Sequence, residues 1–195
     1  MGKVINKTIS DEVLDKTMHL FWEKGYFNTS IDEVIEVTGF NRRAIYNYFG
    51  SKHDLFLAVL KRYRAEITPL LTAPLKNTAG GLAAIEDFFS QFAYLNESNL
   101  PCGCFLIATG SDSSSHDIEV AKFVRLFSDE LRELFKNCLS CVLDNQRSTT
   151  FNRETIADFL VVNVFGIMTL HRTHAPIDTI INSIAVIKHF IHTLK

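Results

Sequence analysis

The sequence has 195 residues, of which 47% are hydrophobic and 22% are charged, and its formal net charge is −2. This length suits one compact protein of one or two small domains with a sizeable core. No apolar run reaches the roughly 18 residues that a membrane span requires. The polar N-terminus lacks the apolar stretch of a signal peptide, so we expect a cytoplasmic protein without a membrane partner.

Charge is spread unevenly along the chain. Residues 1–64 hold ten Lys and Arg and eight Asp and Glu, a net charge of +2, whereas the remainder holds ten and fourteen, a net charge of −4. A mildly basic end on an acidic body suits an anionic partner at the N-terminal end. The asymmetry is too small to identify that partner.

The first helix is predicted over about residues 10–24. Ser10 is a suitable N-cap, and Asp11 and Glu12 lie in the first turn, where the helix dipole favours negative charge. Gly25 ends the helix. The buried stripe of this helix consists of Val13, Leu14, Thr17, Met18 and Phe21.

Residues 29–55 predict two short helices joined by a tight turn, followed by the start of a longer helix. Ser30 and Glu33 form a capping box, so a helix begins there. Gly39 suits a helix C-terminus with positive φ, and Asn41 suits the N-cap of the next helix. The apolar side chains that would pack the two helices together are Ile31, Val34, Ile35, Ile45 and Phe49.

The second of these helices carries a polar face made of Arg42, Arg43, Tyr46 and Asn47. Arg can bond guanine through two N–H groups, Asn can bond adenine, and Tyr can reach phosphate or pack on a thymine methyl. This face is what a helix that reads the major groove needs. A solvated amphipathic helix pair has the same pattern, so the stretch alone leaves both interpretations open.

A longer stretch, from Ile9 to Phe56, closely resembles the N-terminal domain of the tetracycline-repressor (TetR) family. Spacing, turn residues and hydrophobic positions agree together. The matching features are Gly25-Tyr26-Phe27, Thr29-Ser30, Gly39, the run Ile45-Tyr46-Asn47-Tyr48-Phe49, Ser51-Lys52 and Leu55. The rest of the chain shows no comparable motif.

The resemblance implies a helix-turn-helix domain that binds palindromic double-stranded DNA. It implies phosphate contacts from Tyr48 and from Lys52, which stands at a helix N-terminus. Thr29 and Ser30 would offer phosphate a hydroxyl or a backbone N–H. Arg43 departs from the small residue that is common at its position in the family, and so adds a cation to the reading face.

Beyond residue 50 the pattern predicts helices and no strand, so we predict an all-α protein of about nine helices. Ser51 and Asp54 form a second capping box and open a helix to about residue 72, which Pro69 would kink or end. Further helices are predicted over about residues 82–96, 102–110, 117–144, 153–172 and 176–194, with loops at 76–81 and 145–150.

The resemblance also implies how the two parts of the chain are used. Residues 1–52 would form the DNA-binding domain, and residues 53–195 a helical domain that binds a small effector and dimerises. The last two predicted helices would pair with their copies in a homodimer, although both could instead face an internal core. The leading hypothesis is a homodimeric repressor that the effector releases from its operator.

Aromatic side chains are the candidate lining of the effector cavity. Few charges fall on the apolar faces of the body helices, so we expect a small, largely apolar effector and no cofactor. Most of these Phe side chains equally suit a core. The candidate ligand-binding residues are Phe88, Phe92, Cys104, Phe105, Phe127, Phe165, Met168 and His171.

Two cysteines leave an alternative open. Cys102 and Cys104 stand just before a predicted helix, where thiol pKa values can be lowered. They allow a regulator that senses oxidants or electrophiles. They also allow a thiol-dependent enzyme, although the sequence predicts no catalytic constellation and no metal site.

Overall fold

The computed structural model describes residues 2–97, 100–113, 117–143 and 151–194, and within these ranges the chain forms α-helices and no β-strand. The all-α prediction is confirmed for this part of the chain. The helices are α1 (Gly2–Lys24), α2 (Ile31–Thr38), α3 (Arg42–Phe49), α4 (Lys52–Leu71), α5 (Leu82–Ser90), α6 (Phe105–Ser113), α7 (Ile118–Leu143), α8 (Arg153–Arg172) and α9 (Ile177–His192). Short 3-10 helices span Ala73–Lys76, Thr78–Gly80 and Gln91–Glu97.

The first four helices pack around one small core. α1 contacts α2 and α4, and α3 contacts both α2 and α4. The core is closed by the fully buried side chains of Phe21, Val34, Ile45 and Leu55, one from each of these four helices. The predicted pairing of α2 with α3 follows from the apolar residues at helical spacing.

Four predicted helix boundaries were wrong, one of them the end of the helix predicted over 102–110, which continues to Ser113. α1 begins at Gly2 rather than at Ser10, because residues 3–9 contain neither Gly nor Pro to stop the helix. The helix predicted over 82–96 ends at Ser90 and continues as a 3-10 helix. The helix predicted from Cys102 begins at Phe105, because Gly103 has a φ of 78°, which an α-helix cannot contain. The predicted loop at 145–150 lies outside the described residues.

The body contains a closed aromatic cluster, which consists of Phe88, Phe89, Phe92 and Phe135. The ring centroids of Phe88 and Phe135 are 5.4 Å apart, and those of Phe88 and Phe92 are 5.1 Å apart. All four side chains are fully buried. This cluster fixes α5 against α7.

A second aromatic cluster, which consists of Phe21, Trp22, Phe56, Tyr63 and Phe105, joins α1 and α4 to α6 of the body. Trp22 of α1 meets the edge of Tyr63 of α4 at 5.0 Å and stacks on Phe105 of α6 at 6.2 Å. Phe21 and Phe56 complete it at 5.1 Å. Three helices from both parts of the chain therefore share one set of ring contacts.

Helix α8 is, by length and composition alone, apolar enough to cross a membrane, contrary to the expectation that no segment would be. The buried helix of a helical bundle meets the same criteria. Eight residues of α8 are buried within the protein, among them Leu160, Val164 and Met168. Its apolar character is thus largely explained by packing against neighbouring helices.

Candidate nucleic-acid interface and internal cavity

The polar face predicted for the second short helix lies on α3 and is open to solvent. Ile45 is buried and Phe49 is half-buried, which holds the opposite side of α3 against the domain. The exposed side chains are Arg42, Arg43, Tyr46, Asn47 and Tyr48. These are the five predicted DNA contacts on this helix, and the structure places them together.

Local capping fixes the position of α3 relative to α2. The Ser30 hydroxyl accepts the N–H of Glu33, and the Glu33 carboxylate accepts the N–H of Ser30 at 2.7 Å. Gly39 ends α2 with a φ of 76°, and the Asn41 side chain then accepts the N–H of Ala44 at 2.9 Å. All three signals were predicted from the sequence, because capping depends on residues close together in the chain.

Arg42, the first residue of α3, forms an exposed ion pair in which another anion can replace the partner. Arg42 Nη2 lies 2.5 Å from Asp32 Oδ1, and both side chains are more than half exposed. Exposed pairs of this kind contribute roughly 0–1 kcal/mol, so a phosphate or a base edge can replace Asp32. Arg43 is exposed beside it.

Two predicted phosphate contacts have structural partners within the domain. Lys52 Nζ donates to the carbonyl of Tyr26 at 2.6 Å and lies 4.3 Å from the Tyr26 ring centroid, and burial lowers the pKa of this ammonium. The Thr29 hydroxyl donates to the carbonyl of Gly25 at 2.8 Å, and the side chain is 1% exposed. The Ser30 hydroxyl also has a partner, since it donates to Glu33 Oε2 at 2.9 Å, but Ser30 is exposed whereas Thr29 is buried. We therefore narrow the expected hydroxyl contact at the start of α2 to Ser30.

A cavity of about 230 Å³ lies where α1, α4 and α8 meet the 3-10 helix Gln91–Glu97 and the loop 100–104. Trp22 and Tyr63 form part of its wall, and Leu70, which is strongly exposed, stands at its rim. None of its thirteen lining residues is Asp, Glu, Lys or Arg. The cavity therefore suits an uncharged, largely apolar molecule.

One loop, residues 100–104, closes a side of the cavity and is held by His171. The N–H of Gly103 donates to His171 Nδ1 at 2.8 Å, so the other ring nitrogen carries the proton and donates to Asn96 Oδ1 at 3.2 Å. Burial lowers the pKa of His171, with a smaller contribution from His174. The imidazole is neutral, and both its nitrogens are used.

The two cysteines of this loop differ sharply. Cys104 is fully buried, its sulfur accepts the Tyr63 hydroxyl at 3.4 Å, and burial raises the pKa of its thiol. Cys102 is half-buried, and its Sγ lies 3.9 Å from His174 Nδ1. It also lines a neighbouring open cleft. Only Cys102 combines partial exposure with a basic neighbour.

The structure brings together three of the eight predicted ligand-binding residues, namely Cys104, Met168 and His171. The other five do not line this cavity. Phe88 and Phe92 belong to the closed aromatic cluster, and Phe105 lies behind Trp22 and Tyr63. Phe127 and Phe165 pair with each other, with ring centroids 6.4 Å apart. Packing against other rings, rather than against a cavity, explains these five positions.

Sequence reasoning missed Trp22 as a lining residue. It lies on α1, within the part assigned to DNA binding, and no local pattern distinguishes it from an ordinary core residue. Leu100, Pro101 and Gly103 were also missed, although an apolar loop before a helix was visible. Their shared position depends on the packing of α1 on α4 and of the loop 100–104 on α8.

The last two helices carry apolar side chains on their outer surfaces. Val162 of α8 is 68% exposed and Val186 of α9 is 67% exposed, and Phe159 and Ile181 are also exposed. Nothing lies within 4 Å of the position that a Cβ on Gly166 would take. Large apolar side chains exposed on neighbouring helices are often found at protein-protein interfaces.

Comparison with known proteins agrees with this geometry. Residues 13–59 match the family model described as bacterial regulatory proteins, tetR family. The chain is 32% identical over 117 residues to the HTH-type transcriptional repressor ComR of Escherichia coli, a match that covers 59% of this chain. That match spans 56% of the length of ComR.

Two solved structures share the fold over nearly the whole chain. A TetR transcriptional regulator from Chloroflexus aurantiacus has a TM-score of 0.86 and 21% identity, covering 98% of this chain and 97% of its own. The regulator CifR, as a cysteine mutant in complex with a 26-base-pair operator, has a TM-score of 0.79 and 19% identity, covering 92% and 95%.

Proposed function

The chain belongs to the TetR family of bacterial regulatory proteins, and we propose that it is a homodimeric transcriptional repressor released from a palindromic operator by a small, largely apolar effector. The observation that carries the proposal is the exposed face of α3, with two arginines, an amide and two phenols held in place by caps on both helices of the motif. Members of this family are transcription regulators rather than enzymes.

DNA recognition follows from the exposed groups of α3. Arg42, Arg43 and Asn47 would reach base edges in the major groove, and Tyr46 and Tyr48 would reach phosphate or a thymine methyl. Ser30 and Lys52 would position the domain on the backbone. In this scheme residues 1–52 read DNA, while residues 53–195 hold the effector and the dimer surface.

The outer faces of α8 and α9 support a dimer. Their exposed apolar side chains gain most if a second copy covers them, and Gly166 allows a close approach of the two backbones. Two recognition helices related by a two-fold axis would enter successive major grooves, about 34 Å apart. A palindromic operator mirrors this symmetry.

Release by an effector requires different affinities for two conformations of the dimer. α4 is the proposed coupling element, because it packs against α1 and α3 at one end and contacts α6 and α7 in the body. A ligand that binds better when the recognition helices are wrongly spaced would lower operator affinity.

The second candidate function is a thiol-sensing form of the same regulator, and one observation favours Cys102 as its sensor. Cys102 is the partly exposed thiol, beside His174, whereas the Cys104 thiol is buried and its pKa is raised. Mild oxidation would then weaken operator binding in the native protein and in Cys104→Ser, but not in Cys102→Ser. If mild oxidation weakened operator binding equally in all three proteins, the thiol-sensing form of the regulator would be excluded.

The test of the proposed function is selection of a binding site from random DNA, followed by footprinting of the selected site. We expect a protected palindrome whose affinity falls steeply as salt rises, because Lys and Arg that contact phosphate release counterions. The Lys24–Glu33 pair offers a useful control, since Lys24→Met removes a cation without touching α3. Failure to select any sequence at low salt would overturn the proposal.

A further inference from the structure

The wall of the cavity beside Trp22 is not confined to the effector-binding body. Trp22 belongs to α1, one of the helices of the DNA-binding domain, and its side chain is 3% exposed. Tyr63, whose ring meets that of Trp22 at 5.0 Å, lines the same cavity from α4. A molecule in this cavity therefore touches the DNA-binding domain itself.

The chemistry of the lining selects against charge. Its polar side chains include Gln91, Cys104 and His171, and none of them is ionised at neutral pH. His171 is neutral because Nδ1 accepts the Gly103 N–H while its other nitrogen donates to Asn96. An ionised ligand would lose its hydration without gaining an opposite charge, which is strongly unfavourable.

The size of the cavity selects a small molecule. Its volume of about 230 Å³ lies below the roughly 300–1,000 Å³ of sites that hold drug-sized ligands. Rings and thioether carbon at its wall, from Trp22, Tyr63 and Met168, favour contact with a flat ring. A ligand of about one ring matches both properties.

Contacts next to Trp22 connect this wall to the frame of the body. Arg172, at the end of α8, donates to the carbonyl of Glu23 at 2.7 Å and to the carbonyl of Cys102 at 3.5 Å. The Glu23 carbonyl is one of the last four of α1, and these carbonyls have no N–H donor inside the helix. The end of α1, the cavity loop and the end of α8 thus meet at one guanidinium.

We propose that this cavity binds an uncharged compound about the size of one aromatic ring, and that α1 senses the ligand directly through the ring of Trp22, in addition to α4. The inference rests on the proposed function, since it names the chemical class of the effector and the helix that responds to it. Displacement of Trp22 moves the C-terminal end of α1, and α1 supports α2 and hence α3.

Trp22 provides its own probe, because it is the only tryptophan in the sequence. Acetophenone and benzamide serve as uncharged probes, and benzoate and benzylammonium as charged controls with the same ring. We expect a saturable change of Trp22 emission with both uncharged probes and at least about tenfold weaker binding of both charged ones. Equal or tighter binding of a charged probe, or no saturable change with either uncharged probe, overturns the ligand class.

Two variants on α4 locate the binding. Ile67→Phe fills space at a half-buried position of the lining, and Leu57→Phe adds the same ring at a half-buried position outside this cavity. We expect Ile67→Phe to weaken acetophenone binding at least about tenfold and Leu57→Phe to leave it within about twofold. Unchanged binding in Ile67→Phe would place the ligand elsewhere and overturn the proposal.

The measurement with operator DNA separates the two proposals. If the protein binds no DNA, the proposed function fails, while Trp22 emission still decides the ligand class without DNA. If the protein binds its operator and acetophenone saturates Trp22 without lowering operator affinity, sensing through α1 fails and the DNA-binding function stands. If acetophenone lowers the operator affinity of the native protein but not that of Ile67→Phe, both proposals are supported.

Discussion

The outer face of α3 and the cavity beside Trp22 differ in nearly every property that decides what a surface binds. The face of α3 is exposed and cationic, and its side chains come from one short segment. The cavity is recessed and uncharged, and its walls come from segments far apart in the sequence. This difference would allow one small protein to bind an anionic partner and an apolar ligand on separate surfaces.

The two regions nevertheless share helix α1. Val34 and Ile45 hold α2 and α3 in the core to which Phe21 of α1 also belongs. The next residue, Trp22, lines the cavity. Consecutive residues of one helix thus support α3 on one side and border the cavity on the other.

The largest expected effect separates the two regions completely. The double variant Arg42→Ala with Arg43→Ala should weaken operator binding by on the order of 100-fold or more, because each arginine bonded to a base edge contributes roughly 1–3 kcal/mol. Acetophenone binding to the same variant should not change. Fluorescence anisotropy with labelled operator measures the first quantity and Trp22 emission the second.

Arg125→Ala with Lys136→Ala is the matched control, since it removes two cations from α7 in the body. This control should lose only the small part of the affinity that depends on overall charge. A control as damaging as the α3 double variant would contradict the assignment of α3 as the reading helix.

A substitution at Gly103 should disturb the cavity and leave α3 intact. Gly103 has a φ of 78°, and a Cβ there would lie 2.8 Å from the Met168 carbonyl oxygen and 2.9 Å from Arg172 Cβ. Gly103→Ala should therefore lower the free energy of unfolding by about 1–3 kcal/mol. Urea denaturation checks this.

Cys102→Ala lies in the same loop without such strain and should change stability by less than about 0.5 kcal/mol. If Gly103→Ala proved equally neutral, the close packing of the loop on α8 would not hold in solution.

Arg172 tests the link between the regions. Arg172→Met keeps most of the length of the side chain but removes the donors to Glu23 and Cys102. Ligand affinity should stay within about twofold, whereas the factor by which acetophenone lowers operator affinity should fall about fivefold, the lower end of typical coupling energies. Arg132→Met, which breaks an exposed pair with Asp158, is the control. A coupling factor that is the same in Arg172→Met and native protein would remove this link.

The smallest effect concerns pH. Burial lowers the pKa of His171 below its usual value, so the unfolded chain binds the proton more readily than the folded protein. The contribution to stability is therefore present above the unfolded pKa, near 6.5, and is lost as the pH falls below it. Thermal denaturation from pH 7.5 to 5.5 should show this loss, with a shallower slope in His171→Gln. A slope that does not depend on residue 171 would contradict the assignment.

The DNA-binding segment could be predicted closely because its signals are local. Ser30 with Glu33, Gly39 and Asn41 act within four residues of their partners, and the structure confirms each of these caps. The start of α1 was predicted wrongly, because a good N-cap such as Ser10 does not end a helix that can continue through it. A good N-cap residue allows a helix to begin there but does not require it. Only a strong helix breaker decides where a helix begins or ends.

The cavity could not be predicted in the same way. Trp22 and Phe105 lie far apart in the sequence and stack only because α1, α4 and α6 converge. From the sequence alone, Phe88 and Phe127 could equally have lined a cavity. In the structure, other rings fill the space around them. A hydrophobic pattern gives the burial of a side chain, and it does not give the difference between a packed core and the wall of a cavity.

The most direct test of the account is reciprocity between the two regions. Operator affinity is measured with and without saturating acetophenone, and acetophenone affinity is measured by Trp22 emission with and without saturating operator. The account predicts that each lowers the affinity of the other by the same factor, within the roughly 5–150-fold range of known couplings. Affinities that do not depend on the other ligand would contradict it, because the α3 face and the cavity would then act independently.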